Sequence, residues 1–427
     1  MHLHIVTAGQ TLYSIARQYG LHPGLIARQN GLREPYRLAV GQCLLILQPR
    51  AVYTVRAGDT LYAIAQRFGT DVKTLWRNNP NLSGGTMLYP GQTLVLRQES
   101  MRTHTASALG YAYTNVQEPV LRGILPYASA LCPFTYGIAE DGGLIAPADA
   151  GLTALALEYG VQTLLHLSTL TEGAGFSALR ARAVLEDEGR RARLIAETVA
   201  QMRRGGYGGV DVDFEFLGAE LADAFAAFLG ELRAAVNAAG GVLVCALAPK
   251  TSADQPGALY EGHDYRRLGE NADAVLLMTY EWGYTYGPAM AVAPISAVRR
   301  VVEYALTEIP TGKILLGFPN YAYDWTLPYA AGESRAQSLG NEAAAALAAQ
   351  MGAEIRFDEA AQTPYFTYTD RAGAIHEVWF EDPRSCTAKY DLVQEFSLRG
   401  LGYWNFMRPF TAAFALLNAR FTILPGV

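Results

Sequence analysis

From Ala108 to the C-terminus, short apolar runs alternate with longer stretches whose apolar residues recur every three or four positions. The first pattern reads as buried strands, the second as amphipathic helices. Eight strands are predicted: Leu109–Thr114, Phe134–Ile138, Thr163–Leu167, Val210–Phe216, Leu243–Leu247, Ala274–Thr279, Ile314–Phe318 and Leu401–Phe406. Arg190–Met202, Ala222–Asn237 and Ile295–Leu306 are among the helices between them. Strictly alternating β and α elements imply a parallel sheet, and roughly 320 residues for eight units fits a (β/α)8 TIM barrel. Between strands seven and eight, alternating aromatics flank Asp370-Arg371-Ala372-Gly373, which predicts a hairpin within a small α+β insertion over about 354–382.

Strand four carries the sharpest pattern. In Gly208-Gly209-Val210-Asp211-Val212-Asp213-Phe214-Glu215-Phe216 apolar residues alternate strictly with carboxylates. One face of the strand therefore packs and the other presents three acids, with Asp213 and Glu215 roughly 6–7 Å apart. Burial and like charge both oppose ionisation of such a set, so a fold keeps it chiefly where a reaction uses the perturbed acidity. A solvated edge strand would not need the apolar partners, and the spacing does not match an EF-hand calcium loop.

In a barrel of this kind the chemistry collects at the C-terminal ends of the strands. Strand six ends in Tyr280-Glu281-Trp282, strand seven in Asn320-Tyr321, and strand eight in Tyr403-Trp404-Asn405. With Tyr111 of strand one, these aromatics beside carboxylates suit a sugar-stacking pocket. His166, near the end of strand three, is either a base or a hydrogen-bonded structural histidine.

The first hundred residues repeat internally. Thr7-Ala8-Gly9-Gln10-Thr11-Leu12 recurs as Arg56-Ala57-Gly58-Asp59-Thr60-Leu61, Asn30 as Asn79, and Val40-Gly41-Gln42 as Pro90-Gly91-Gln92. Each copy reads as strand, capped helix, helix, strand. The repeat resembles the LysM module, at residues 1–48 and 51–97, the first copy departing with Gln10 and Val40. The resemblance implies two βααβ domains that bind N-acetylglucosamine-containing glycans through Gly58, Asp59, Thr60 and Leu61, and through Gly9 and Thr11 of the first copy. Residues 98–107 are polar and aperiodic and read as a linker to the barrel at 108–427.

Composition narrows the partners. Half of the 427 residues are hydrophobic and 17% are charged, as expected of a chain with a large core. A net charge of −6 argues against nucleic acid. The four cysteines have no metal-ligand spacing and are expected as free thiols. No metal or other cofactor is expected. No apolar run is long enough for a membrane span, and Met1-His2-Leu3-His4 enters an ordered module without a Sec-type signal. A monomer is expected.

The barrel resembles glycoside hydrolase family 18. Gly209, Asp211, Asp213 and Glu215 match the family's Asp-Gly-x-Asp-x-Asp-x-Glu motif, with Gly208 in place of the first Asp. Met278-x-Tyr280 and Trp404 also match, and Glu281 stands where many chitinases have Asp. Together with the LysM repeats, Tyr280-Glu281-Trp282-Gly283 and Val378-Trp379-Phe380-Glu381-Asp382 look most like the spore cortex-lytic subgroup, which cleaves peptidoglycan after N-acetylglucosamine. Members are made in the mother cell and laid onto the spore, which implies a spore or cell-wall location. The family resemblance implies a substrate-assisted retaining mechanism. Glu215 is then the general acid/base, Asp213 and Tyr280 hold the acetamido group, and Asp211 tunes Asp213. Trp404 floors the sugar, with Glu281, Trp282, Tyr111, Asn320 and Tyr321 as further contacts. A chitin-oligosaccharide hydrolase and a non-catalytic lectin on the same barrel are the rival readings.

Overall fold

The computed structural model describes residues 1–427 except Ser83 and 172–174. Eight parallel strands follow one another around a closed barrel: His104–Tyr113, Ala130–Phe134, Gln162–Ser168, Gly209–Asp213, Val242–Leu247, Ala274–Leu277, Ile314–Pro319 and Gly400–Trp404. Strand eight closes on strand one through the register Leu401↔Ala108 and Tyr403↔Gly110. Phe421–Ile423 adds a parallel rung outside strand one.

Strand four shows why the barrel forms. Val210, Val212 and Phe214 point outward, and Phe214 stacks on Phe225 and Phe228 of the helix Ala222–Ala238 at 5.5 Å each. Asp211 and Asp213 point inward and are buried. Beside them and His166, the inner lining includes apolar side chains from Leu109, Cys132, Leu164, Val244, Leu276 and Leu315. Period-two alternation has thus sorted acids and hydrocarbon onto opposite sides of one strand.

Three boundaries differ most from the sequence expectation. Strand two is Ala130–Phe134, not Phe134–Ile138; it contains Pro133, which lacks the N–H of a regular ladder residue and disguises the run. The chain then turns at Thr135 and Tyr136 rejoins strand three, donating to the His166 carbonyl at 2.8 Å. Strand four ends at Asp213, so Glu215 is carried by the loop beyond it. Strand one begins at His104, inside the expected linker. Its polar start is the outer rung that pairs with Phe421–Ile423, and the Met101 N–H and Arg102 guanidinium are bound to Ala419 and Asn418.

The insertion is also larger than expected. It is a five-stranded antiparallel sheet beginning at Ala322–Leu327 and ending at Ile375–Trp379, with the helix Asn341–Met351 against it. Ala322–Leu327 follows strand seven so closely that it reads as a strand-end loop, because its partner lies some fifty residues on.

Two βααβ modules precede the barrel, and each internal match has a structural reason. Asn30 and Asn79 both lock helix to strand, accepting from Leu45 N at 2.7 Å and Val95 N at 2.8 Å. Gln10 does the work of Asp59: Gln10 Oε1 accepts from Thr7 N at 2.9 Å, and Asp59 Oδ2 from Arg56 N at 2.7 Å. Both modules dock on the barrel. In the first, Ala39 is buried in the insertion's core and Val40 O accepts from Ile355 N at 2.8 Å. A Cβ on Gly41 would lie 1.8 Å from the Ile355 carbonyl, so only glycine fits there. In the second, Trp76 packs on Tyr159 and Arg77 Nε donates to Pro126 O at 2.7 Å.

Candidate active site

At the C-terminal mouth of the barrel lies a cavity of about 320 Å³, walled by Asp213, Glu215, Tyr280, Glu281 and Trp282 and floored by aromatic rings. Trp404 stands within 5.0 Å of Phe134 and 5.4 Å of Tyr111, ring centroid to centroid. Below it, Asp211 is fully buried and accepts a hydrogen bond from His166 Nδ1 at 2.7 Å. His166 Nε2 lies 3.8 Å from Asp213 Oδ2. From the barrel interior upward the order is thus Asp211 and His166, then Asp213, then Glu215 at the rim.

Strain marks the same mouth. Four non-glycine residues among those described have positive φ, and two of them, Phe216 (58°) and Glu281 (69°), directly follow Glu215 and Tyr280. Such conformations cost about 1–3 kcal/mol each and are held only where the surroundings impose them. The Phe214 carbonyl is fixed by His263 Nε2 at 2.9 Å, which anchors the loop just before Glu215.

Burial dominates the electrostatics. It pushes Asp213 up to about 6, with Asp211 raising it further and His166 opposing. Burial likewise holds Glu215 well above the ordinary carboxylate range, reinforced by the charges of Asp213 and Glu281. Glu281 is raised by burial, offset by hydrogen bonds from the hydroxyls of Tyr321 and Tyr323. Two carboxyls of raised pKa facing one apolar-floored cavity keep a proton available near neutral pH.

Some candidates lie elsewhere. Asn320 is buried behind the cavity, where its amide donates to the carbonyls of Asn405 and Arg408 at 2.7 and 2.9 Å and ties down the loop beyond Trp404. Tyr321 is buried behind Glu281 and donates to it, so its hydroxyl is already engaged. Gly208 precedes strand four at the opposite end of the barrel from Glu215; a Cβ there would meet the Gln162 side chain at 2.5 Å, and Asp211 contacts His166 instead. In the modules, Leu61 is core, Thr60 and Thr11 cap helices, and Asp59 is consumed by Arg56 N and Tyr53. These side chains shape the turn, leaving Gly58 and Gly9 with open space. Wall residues passed over in the sequence include Phe134, hidden by the misplaced strand two, and Tyr260, on the short helix Ala258–Glu261 that no periodicity marks. Tyr113 follows Tyr111 at period two and was legible.

A closed barrel with acids at this mouth defines a hydrolase class, and the comparisons agree. Residues 151–408 match the family described as glycosyl hydrolases family 18, and residues 4–46 and 53–97 match the LysM domain. The chain belongs to glycosyl hydrolases family 18 and carries two LysM domains. It is 43% identical over 310 residues to the cortical fragment-lytic enzyme of Bacillus subtilis (strain 168), covering 73% of this chain and 72% of that one. It is 34% identical to the cortical fragment-lytic enzyme of Bacillus anthracis over 98% of both chains. The crystal structure of the Bacillus megaterium QM B1551 spore cortex-lytic enzyme SleL superposes with a TM-score of 0.84 at 36% identity, over 100% of this chain and 99% of that one.

The raised carboxyls carry a stability signature. A carboxyl whose folded value exceeds its unfolded one binds more protons folded than unfolded, so the fold loses stability as pH rises through that window and stays penalised above it. Asp213→Asn and Glu215→Gln are therefore expected to raise Tm by roughly 2–5 °C at about pH 7.5 and to leave it unchanged near pH 4. Thermal scans of the two variants at both pH values check this.

Proposed function

We propose that the protein is a peptidoglycan hydrolase of the spore cortex or cell wall, cleaving the β-1,4 bond after N-acetylglucosamine by substrate-assisted, retaining catalysis. The observation that carries the reading is the convergence of Asp213, Glu215 and Tyr280 over an aromatic floor in one cavity. The names of the relatives, cortical fragment-lytic and spore cortex-lytic, supply the substrate class.

Glu215, protonated because buried beside other carboxylates, gives its proton to the glycosidic oxygen. The oxygen of the sugar's own 2-acetamido group attacks the anomeric carbon as the bond breaks, forming a cyclic oxazolinium. Asp213 accepts the acetamido N–H and its negative charge offsets the developing cation. The Tyr280 hydroxyl holds the acetamido oxygen, and Trp404 stacks under the ring. Glu215, now a carboxylate, takes a proton from water as the water opens the oxazolinium. No step needs an enzyme nucleophile, metal or other cofactor.

The modules serve as wall anchors, and the second is the open copy. Its loop before Gly91 exposes Met87 and Tyr89, whereas the matching stretch of the first module is packed on the insertion.

Two outcomes are expected. Glu215→Gln lowers turnover by about 10²–10⁴-fold with glycan binding retained, and mass spectrometry of products from cortex shows new reducing N-acetylglucosamine ends. Reducing muramic acid ends, or equal release from chitin, would assign another bond or another substrate. Tyr89→Ala reduces retention on insoluble wall several-fold through lost avidity while hydrolysis of soluble fragments is unchanged; a pellet-binding assay beside a soluble-fragment assay reads both.

A further inference from the structure

The buried histidine beneath the carboxylates is not accounted for by the mechanism above. Two fully buried histidines lie near the site and they differ in kind. His263 has both ring nitrogens satisfied by backbone, with Nδ1 accepting from Ala248 N at 2.8 Å and Nε2 on the Phe214 carbonyl at 2.9 Å. His166 is held on one side only. Nδ1 is bound to Asp211 at 2.7 Å, whereas Nε2 is buried with no hydrogen-bond partner among the described residues, 3.8 Å from Asp213 Oδ2. Asp213 Oδ1, Asp211 Oδ1 and the hydroxyl of Tyr111 are likewise buried and unpartnered. Leaving a buried polar atom unpaired is costly, and four in one cluster point to a state in which they are engaged.

The ring cannot turn away to find other partners. Phe134 stacks on it at 4.8 Å and Tyr111 meets it edge-on at 5.2 Å. With Nδ1–H given to Asp211, Nε2 faces Asp213 in one of two forms: bare, accepting from a protonated Asp213, or protonated, donating to an ionised one. Less than about 1 Å of movement closes the gap to hydrogen-bond distance. Among the described residues, the other ionisable groups that face Asp211 and Asp213 are acids: Tyr111 from strand one, Cys132 from strand two, Glu215 from the loop beyond strand four, Cys245 from strand five and Tyr280 beyond strand six. Among the described residues, no lysine or arginine forms an ion pair with Asp211 or Asp213.

Resting on the function proposed above, we propose that His166 is a positioning residue that exchanges one proton with Asp213, becoming an imidazolium whenever Asp213 must be a carboxylate. The step is a single proton transfer: the Asp213 O–H bond breaks, the His166 Nε2–H bond forms, and the charge of the pair is conserved. Its effect is greatest at the oxazolinium, where Asp213 must be negative beside Asp211. In this chain the group next to Asp211 is thus a base, and strand three supplies it.

The test uses the full chain. His166→Gln and His166→Asn are assayed for kcat and KM against pH on soluble N-acetylglucosamine-containing fragments, with Tm as a folding control. Without the cation, ionisation of Asp213 becomes harder. The acid limb of kcat therefore moves up by about one pH unit or more, kcat falls about 10–100-fold, and KM changes little. A uniform loss with an unshifted acid limb would mean that the ring only fills space. Ring-nitrogen NMR of isotope-labelled histidine, in the unchanged protein and in Asp213→Asn, keeps the idea testable should the His166 variants not fold. The Nε2 signal of His166 is expected to move in Asp213→Asn, and no movement would overturn the proton link. This second measurement needs no substrate, so it separates failure of the proton link from failure of the glycan assignment.

Discussion

The organising constraint is the placing of ionisable carboxylates inside a closed barrel. Asp211 and Asp213 occupy inward positions of strand four that in a purely structural barrel would carry aliphatic side chains. Removing a carboxylate from water costs several kcal/mol unless it is paired or protonated. The fold meets that cost with one imidazole and an outward face of Val210, Val212 and Phe214 whose packing on the helical layer holds the strand in place. The raised pKa of Asp213 and Glu215 is the chemical return on this unfavourable burial.

Around this centre, the remaining elements position rather than react. Asn320 ties the ends of strands seven and eight together and so aims Trp404. Tyr321 and Tyr323 hold Glu281 against the cavity wall, and His263 steadies the loop bearing Glu215. The modules are clamped to the barrel through Gly41 against Ile355 and Gly84 against Tyr159, where no larger residue fits. A wall-bound second module therefore presents the cavity in a set orientation, without a long tether.

What could be read from the sequence follows the range of the underlying signals. The eight-strand barrel, the acids of strand four and the duplicated modules rest on periodicity and repetition within a few dozen residues, and these were legible. Strand two was displaced because Pro133 breaks the local strand signature, although its neighbours accommodate it. The insertion was shortened because Ala322–Leu327 pairs with Ile375–Trp379, a contact with no local trace. Tyr321 and Asn320 sit at strand ends as expected, but whether a strand-end side chain faces the cavity or backs it depends on loop geometry. His166 was visible only as two alternatives; the choice between them needed the unpaired Nε2 and its distance to Asp213.

The central claim is that the nucleophile is the sugar's acetamido oxygen, with Asp213 as its partner and Glu215 as the acid. It is tested most directly by comparing hydrolysis of a soluble glycan fragment with that of the same fragment bearing a trifluoroacetamido group on the scissile sugar, whose oxygen is a poor nucleophile. The account predicts a rate lower by about a thousandfold or more, as expected when an intramolecular nucleophile of high effective molarity is disabled. Similar rates on both fragments, or a sugar covalently attached to Asp213, would contradict it.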